Sequence, residues 1–350
     1  MARKAVYGTA ALIGLAAVAY SAVWWSSAER FHGELDGWAA DMRGRGWTVS
    51  YDRVRVEGYP ASITAIVEAP SIGAPEGAGG WRWQGPRVTA KARPWNPGRI
   101  VLDGAGIHRF RTGGGDADPV RIAAGDAFGL ILRLADARTT KVVLKLSDIE
   151  IDAPGRVLPR GLGEAEAAIR LPDRPARVED GRGPEPPGPS IAASLRDIEL
   201  GRGDSAARGG AIEEASLTAR LIGPFPRDAT AQSLAVWRDG GGTIEIGELS
   251  LRWQKVSGKG SGTVALDRDL QPLAALTIRI EGYADLVRSL VDRGWLKRRD
   301  AGAIQLGLDL FARAGTGQPG AVAVPLTFQN RRVFLGPISV MRLPRIEWGG

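Results

Sequence analysis

The sequence predicts a mainly β (α+β) protein: an antiparallel β-meander with helices near the N-terminus and the C-terminus, and a single N-terminal transmembrane helix. Three observations carry this. Many short runs alternate apolar and polar residues with period two, the pattern of half-buried strands. They are punctuated by 48 glycines and 22 prolines, which favour turns over long helices. Residues 5–25 carry no charge, as a membrane-spanning helix requires.

The N-terminal run comes first. Arg3 and Lys4 precede it. As a helix, residues 5–25 would span roughly 31 Å, close to the hydrocarbon thickness of a bilayer. Tyr7 lies near one end and Tyr20, Trp24 and Trp25 near the other, where interfacial aromatics sit. The basic residues predict a cytoplasmic N-terminus at 1–4 and an exported body. Ser26-Ser27-Ala28 resembles a small-residue cleavage site. The apolar run is nevertheless longer than the roughly 7–15 residues of a signal peptide, and two tryptophans crowd the scissile bond. The expectation is a retained single-pass anchor in a bacterial inner membrane, with the body in the periplasm. Inner-membrane lipid is then a partner through that helix.

Residues 29–45 read as a short amphipathic helix, with Phe31, Leu35, Trp38 and Met42 at helical spacing and Gly44 and Gly46 at its end. Then the period changes. Trp47, Val49 and Tyr51 alternate with polar residues, and Gly58-Tyr59-Pro60 turns the chain into Ile63, Ala65 and Val67. Further β-rich runs are 81–92, 99–111, 140–151, 191–200, 212–221, 232–237, 243–253, 262–266 and 273–280. Leu146-Ser147-Asp148-Ile149-Glu150-Ile151 echoes Leu195-Arg196-Asp197-Ile198-Glu199-Leu200, a hint of a duplicated sheet unit. Between the copies, 172–190 is rich in proline and nearly devoid of large apolar residues. It separates a first β-rich half, 26–171, from a second, 191–350. Near the end, 283–295 and 299–313 show helical spacing, and 322–328 with 333–335 read as a final hairpin.

Composition excludes several functions. With no cysteine there is no disulfide, thiolate nucleophile or cysteine-ligated metal. His32 and His108 are the only histidines, too few for a histidine-rich metal site. Either could serve as a general base; an ordinary imidazole is the plainer reading. The net charge is +7, but 46 basic and 39 acidic residues are interspersed, so nucleic acid is not an expected partner. No cofactor is implied. Eleven tryptophans are more informative. Trp81, Trp83 and Trp95 fall in one β-rich region with Arg82, Arg87 and Arg93 interleaved. The candidate ligand-binding residues are Trp81, Trp83, Arg87, Arg93 and Trp95, which could line a groove for an acyl chain and its anionic head group. Core and rim packing with snorkelling arginines is the competing reading.

The chain resembles a bacterial family of unknown function, domain family 2125, common in alphaproteobacteria. The resemblance rests on the N-terminal span with its short helix and the strand ending in Gly58-Tyr59-Pro60. It rests also on Gly262-Thr263-Val264-Ala265-Leu266-Asp267 and Leu276-Thr277-Ile278-Arg279-Ile280-Glu281-Gly282, and on Val324-Pro325-Leu326-Thr327-Phe328 with Leu335-Gly336-Pro337. In that family glycine often occupies the final hairpin turn, where this chain has Asn330-Arg331. The resemblance implies an exported envelope protein and carries no catalytic residues. A meander behind one anchor also looks, more loosely, like AsmA-type envelope proteins. Two functions are therefore expected to compete: a membrane-tethered protein that binds a lipid or scaffolds an envelope partner, and a carboxylate-based envelope hydrolase. A long apolar groove on one sheet face would mark the first, and a paired-carboxyl cleft the second.

Overall fold

The computed structural model describes residues 2–75, 80–111, 118–133, 139–154, 158–172, 188–200, 211–223, 230–292, 296–314, 321–336, 338–342, 345, 346 and 348. Of the described helices, α1 (Ala2–Gly44) is the longest, at 43 residues or about 65 Å. The sequence predicts two helices here, 5–25 and 29–45; they are continuous. Nothing in Ser26-Ser27-Ala28 interrupts the backbone hydrogen bonds. No described helix is long and apolar enough to cross a membrane. Within the predicted span, the side chains of 5–14, 16 and 17 lie outside the described residues, as do those of 1–4.

The rest is dominated by one 19-stranded antiparallel sheet. Its first eight strands are β1 (Thr48–Ser50), β2 (Arg53–Glu57), β3 (Ile63–Glu68), β4 (Ser71–Gly73), β5 (Arg82–Gln84), β6 (Val88–Arg93), β7 (Asn96–Asp103) and β8 (Gly106–Arg111). They form four broken runs, because β1 with β2, β3 with β4, β5 with β6 and β7 with β8 are successive pieces of one path. The registers show it: Val54 opposes Val67 and Val49 opposes Ile72, in line with each other. Long unbroken strands follow: β9 (Val120–Arg133), β10 (Thr139–Asp152), β11 (Gly161–Pro172), β12 (Ser190–Ile198) and β13 (Ile212–Ile222). After helix α2 (Ala231–Asp239) come β14 (Thr243–Trp253), β15 (Val256–Leu266) and β16 (Pro272–Glu281). Helices α3 (Tyr283–Asp292) and α4 (Arg298–Ala314) precede β17 (Ala321–Gln329), β18 (Arg332–Leu335) and β19 (Ile338–Arg342). Each run pairs with the next in chain order, so the meander expected from the alternation is present.

Several expectations change in detail. Residues 173–187 of the proline-rich stretch lie outside the described residues. The strands on either side pair directly, Ile169 with Ile191, so one sheet continues across the expected boundary. Residues 232–237 are helical, not a strand. Thr230 caps α2, its side chain accepting from the Ser233 N–H, and Leu234 and Trp237 bury one helical face. β9 and β11 lie outside the predicted runs altogether. The final hairpin turns through Asn330 (φ 50°) and Arg331 (φ 60°), two left-handed residues between paired Gln329 and Arg332. That is a type I′ turn, and asparagine supports it without glycine.

A crease crosses the sheet. The broken runs are interrupted at neighbouring positions: Tyr51-Asp52, Ala69-Pro70, Gly85-Pro86-Arg87 and Gly104-Ala105. The line continues into the unbroken strands. Asp148 falls opposite Gly125 on one side and Gly163 on the other, and Gly163 falls opposite Asp197. Both aspartates have left-handed backbones, φ 49° and 52°. A β-carbon on Gly125 would lie 3.0 Å from Asp148 Cβ, and one on Gly163 would lie 2.9 Å from Asp197 Oδ2. The glycines are what let the kinked aspartates sit between strands. At this line the apolar alternation shifts by one residue: Val142, Leu144 and Leu146 give way to Ile149 and Ile151, and Ile191, Ala193 and Leu195 to Ile198. Ile149 and Ile198, just past the kinks, are each 5% exposed. The internal echo is thus a repeated kink. Asp148→Gly should be near neutral, whereas Asp148→Val should cost about 1–2 kcal/mol, since a β-branched residue resists φ above zero. Urea-unfolding midpoints of the two variants check this.

Candidate functional site

Residues directly opposite one another across a ladder share a face of the sheet. On the side of the crease that holds Val142 and Leu144, following the partners strand by strand yields three apolar rows. The first is Ile63, Ala92, Ile100, Ile131, Val142, Ile169, Ile191, Ala219, Ile246, Gly262, Leu276 and Leu326. The second, two residues along each strand, is Ala65, Ala90, Leu102, Gly129, Leu144, Ala167, Ala193, Leu217, Leu249, Gly260, Ile278 and Val324. The third runs from Ala127 through Leu146, Ala165, Leu195, Ala215, Leu251, Gly258 and Ile280 to Val322. No row contains a polar side chain. With strands about 4.8 Å apart, the longer rows extend on the order of 50 Å along the sheet.

The intervening residues make the other face, which carries ion pairs across β10–β14 beside an apolar stretch through Val101, Leu130, Val143, Ala168 and Ala192. Lys145 pairs with Glu166 at 3.0 Å, Arg220 with Glu245 at 3.1 Å and Arg196 with Glu164 at 2.7 Å. Arg252 reaches Glu213 and Glu214 at 3.0 and 3.1 Å. Ser216 and Ser250 share a 2.7 Å hydrogen bond across their strands.

The apolar rows are closed at the ends and open between. At the C-terminal end, α3 and α4 pack on them: Val322 and Val324 are 2% and 0% exposed and cluster with Val287 and Leu308. Tyr283 on α3 donates to Asp309 Oδ1 of α4 at 3.0 Å, fastening the pair. At the other end Ala65 is buried, and α1 is tied to the β2–β3 turn. There Trp24 Nε1 donates to the Ser62 carbonyl at 2.9 Å, Ser21 and Tyr59 share a hydrogen bond, and Tyr20 bonds to the Pro60 carbonyl. Between these ends Leu144 and Leu195 are each 37% exposed, and Ile131, Val142, Ile169, Ile191, Leu217 and Leu249 are only half-buried. Covering such a surface would remove apolar area from water, and its rows carry no polar side chain.

The residues proposed from sequence are placed apart. Trp81 meets Trp47 edge-to-face at 5.7 Å, and Trp83 stacks on His108 with centroids 6.0 Å apart. Arg93 lies 5.9 Å over the exposed Trp95 ring in the β6–β7 turn. Arg87 is exposed at the crease. Trp83 and Trp95 stand near opposite ends of the β5–β6 run, up to about 40 Å apart along an extended chain. They therefore form two local groups, Trp81 with Trp83 and Arg93 with Trp95.

His108, read from sequence as a possible base, is already engaged. Its Nε2 faces the Gly104 carbonyl at 2.9 Å, and its Nδ1 accepts from Trp83 Nε1 at 3.3 Å. Both contacts are met by the neutral Nε2–H tautomer. His32 lies half-buried on α1. Carboxylates gather in a different place, a cleft of about 780 Å³ lined in part by Glu150, Asp152, Glu199, Arg121 and Arg160. Glu150 and Glu199 both oppose Gly161, which puts their Cα atoms about 10 Å apart. Both side chains are exposed, and the cleft holds no buried carboxyl. Among the described residues no group of three histidine, aspartate or glutamate side chains is arranged to hold a metal.

The row residues on β9 and β11, with Gly258 and Gly260 on β15, lie outside the strands read from the sequence. On β11 the signal was present: Ala165, Ala167 and Ile169 alternate with Glu164, Glu166, Ala168 and Arg170. Alanine and glutamate, both helix formers, obscure that period.

These features define a class of protein: a one-layer antiparallel meander whose apolar face is only partly covered by its own helices. A family model described as an uncharacterized protein conserved in bacteria, DUF2125, matches residues 24–344, and the chain belongs to that family. No curated protein and no solved structure matches it, and the looser AsmA likeness gains no support from these comparisons.

Burial lowers the His108 pKa, only partly offset by its bond to Gly104. The native state therefore binds this proton less readily than the unfolded chain, whose histidine titrates near 6.5. Stability should be full above about pH 6.5 and fall as pH drops from there through the lower native value. Comparing urea midpoints between pH 8 and pH 5 for the wild type and His108→Gln tests this; the variant should lose that part of the dependence.

Proposed function

We propose that this protein is a membrane-anchored periplasmic protein that binds lipid acyl chains on the open apolar face of its sheet. The observation that carries the reading is the set of three uninterrupted apolar rows, exposed at Leu144 and Leu195 and closed at both ends. One leaflet's acyl chain is about 15 Å long, half of a bilayer's hydrocarbon thickness, so the open stretch has room for more than one. The charged opposite face keeps such a sheet soluble on its other side.

Anchoring is supported by the uncharged run at 5–25 and by α1 itself, where Leu15, Val18, Val23 and Trp25 are 58–68% exposed. These side chains have no protein partner that covers them, and a bilayer would. Basic residues ahead of the run favour a periplasmic body. A scaffold role with an envelope protein would use the same face. The hydrolase alternative rests on Glu150 and Glu199, an exposed pair with nothing described to exclude water or seat a substrate.

Photo-crosslinking in living cells tests this. A benzophenone amino acid at Leu144 or Leu195 should yield lipid adducts detectable by mass spectrometry, whereas one at Glu166, on the charged face, should not. Leu144→Glu with Leu195→Glu should cut lipid recovered with the protein at least tenfold, with under about 1 kcal/mol lost per site, because both positions are already partly exposed. Equal adduct yields from both faces, or none from either, would sink the reading. A carboxyl-terminal alkaline phosphatase fusion should be active; an inactive, cytosolic fusion would remove the anchor and the periplasmic location.

A further inference from the structure

Beyond the crease, one patch of the sheet gathers two arginine–arginine oppositions side by side, where single like-charge pairs such as Lys141 with Arg170 and Lys259 with Arg279 occur elsewhere. On β10–β14 the cations Lys145, Arg196, Arg220 and Arg252 each lie within 4.0 Å of a glutamate. On β5, β8 and β9 arginine faces arginine instead. Arg82 is directly opposite Arg111, and Arg109 directly opposite Arg121. Arg109 and Arg111 are two residues apart on one strand, so the four share a face. Like charges opposed across a ladder, with Cβ atoms about 5 Å apart, destabilise the pairing. Among the described residues none of the four forms an ion pair. Asp152 stands opposite Arg121 on its far side, and Asp118 precedes Pro119.

Three of these arginines and one amide border a small hollow. It has a volume of about 40 Å³ and is lined by Arg82, Gln84, Arg109, Arg111 and Pro119. A site for one water needs roughly 10–15 Å³, so the hollow has space for about three waters, the bulk of one tetrahedral oxyanion. Among the described residues its lining offers guanidinium forks and an amide N–H, all hydrogen-bond donors, and no acid. We propose that this hollow is a binding site for a phosphate group carried by a larger ligand. The anion would bring negative charge to arginines that form no ion pair among the described residues, converting a repulsive surface into a chelating one. Its position is independent of the apolar rows, which lie across the crease, so it stands whether or not those rows hold lipid.

The test uses the full-length chain in phosphatidylcholine nanodiscs and follows unfolding by tryptophan fluorescence. Pyrophosphate should raise Tm saturably, while chloride at matched ionic strength should not. Arg109→Glu and Arg111→Glu should each weaken this response at least tenfold. Both should also raise the Tm of the ligand-free protein, because each removes a like-charge opposition; a merely structural arginine would lower it. Arg111→Lys keeps the charge without the fork and should fall between. Vesicles containing phosphatidylglycerol distinguish the source: competition with pyrophosphate assigns the phosphate to a lipid head group, and lack of competition assigns it to a soluble phosphate ester. The site is overturned if pyrophosphate acts no differently from chloride, if the glutamate variants respond like wild type, or if they lose the response only by destabilising the ligand-free protein.

Discussion

Strand register is the constraint on which everything else in this molecule depends. In a one-layer sheet each residue belongs to one face or the other, and a slip of one position would exchange the faces of a whole strand. Here the register holds apolar residues in rows through as many as twelve consecutive runs. It does so without disulfides, since the chain has no cysteine. The irregularities at Thr218/Ala219 and between Ile246 and Leu249 are one bulge, an extra residue on β14 seen from both of its neighbours, and it keeps the rows aligned: Leu217 opposes Leu249, and Ala219 opposes Ile246. The crease is the other adjustment. A left-handed aspartate in the middle of a strand costs backbone energy, and a short polar side chain keeps that cost small. The glycine opposite each kink is required by space, because a β-carbon there would collide.

The charged face and the helices contribute differently to stability. Each glutamate–arginine pair on the outer face is substantially solvent-exposed, and pairs of that kind contribute about 0–1 kcal/mol each. Their larger effect is on register and solubility, since a slipped strand would place like charges opposite one another. Burial is concentrated where α3 and α4 cover β16 and β17, and there the side chains of Val322 and Val324 are closed off almost completely. The sheet's first edge is flanked by α1, where Arg43 Nε donates to the Val49 carbonyl at 2.9 Å. The last strand, β19, is short and ends in Arg342. Both are ordinary means of blunting an exposed edge.

The strands most legible in the sequence were those with bulky β-branched residues in strict alternation, such as 243–253, whose predicted bounds are those of β14. Alternation was harder to see where alanine carried the apolar positions, as in β11, or where two glycines thinned the pattern, as in β9. The 232–237 segment misled because Leu234 and Val236 alternate over a short run; the i, i+3 pair Leu234 and Trp237 and the Thr230 cap decide for the helix. The candidate site was legible only in part. Aromatic and arginine residues stand out in a sequence, but their grouping depends on which end of a strand each occupies, and Trp83 and Trp95 fall at opposite ends of one run. The apolar rows are invisible without the registers, because each strand contributes only one residue to each row.

An apolar face of this breadth is left partly open by the described helices. Monomeric soluble proteins rarely leave contiguous apolar patches larger than roughly 300–600 Å². Three rows crossing the strands between α1 and the α3–α4 pair exceed what a few scattered leucines would expose. The described helices that pack on the sheet are confined to its ends. What covers the open stretch meets aliphatic side chains, no polar group in any row, and small residues such as Gly129, Ala167, Ala193 and Gly260 interleaved with leucines. A protein partner would need to satisfy its own backbone against a surface that offers no donor or acceptor. An alkyl chain has no such requirement, and this difference favours the proposed lipid over a protein partner.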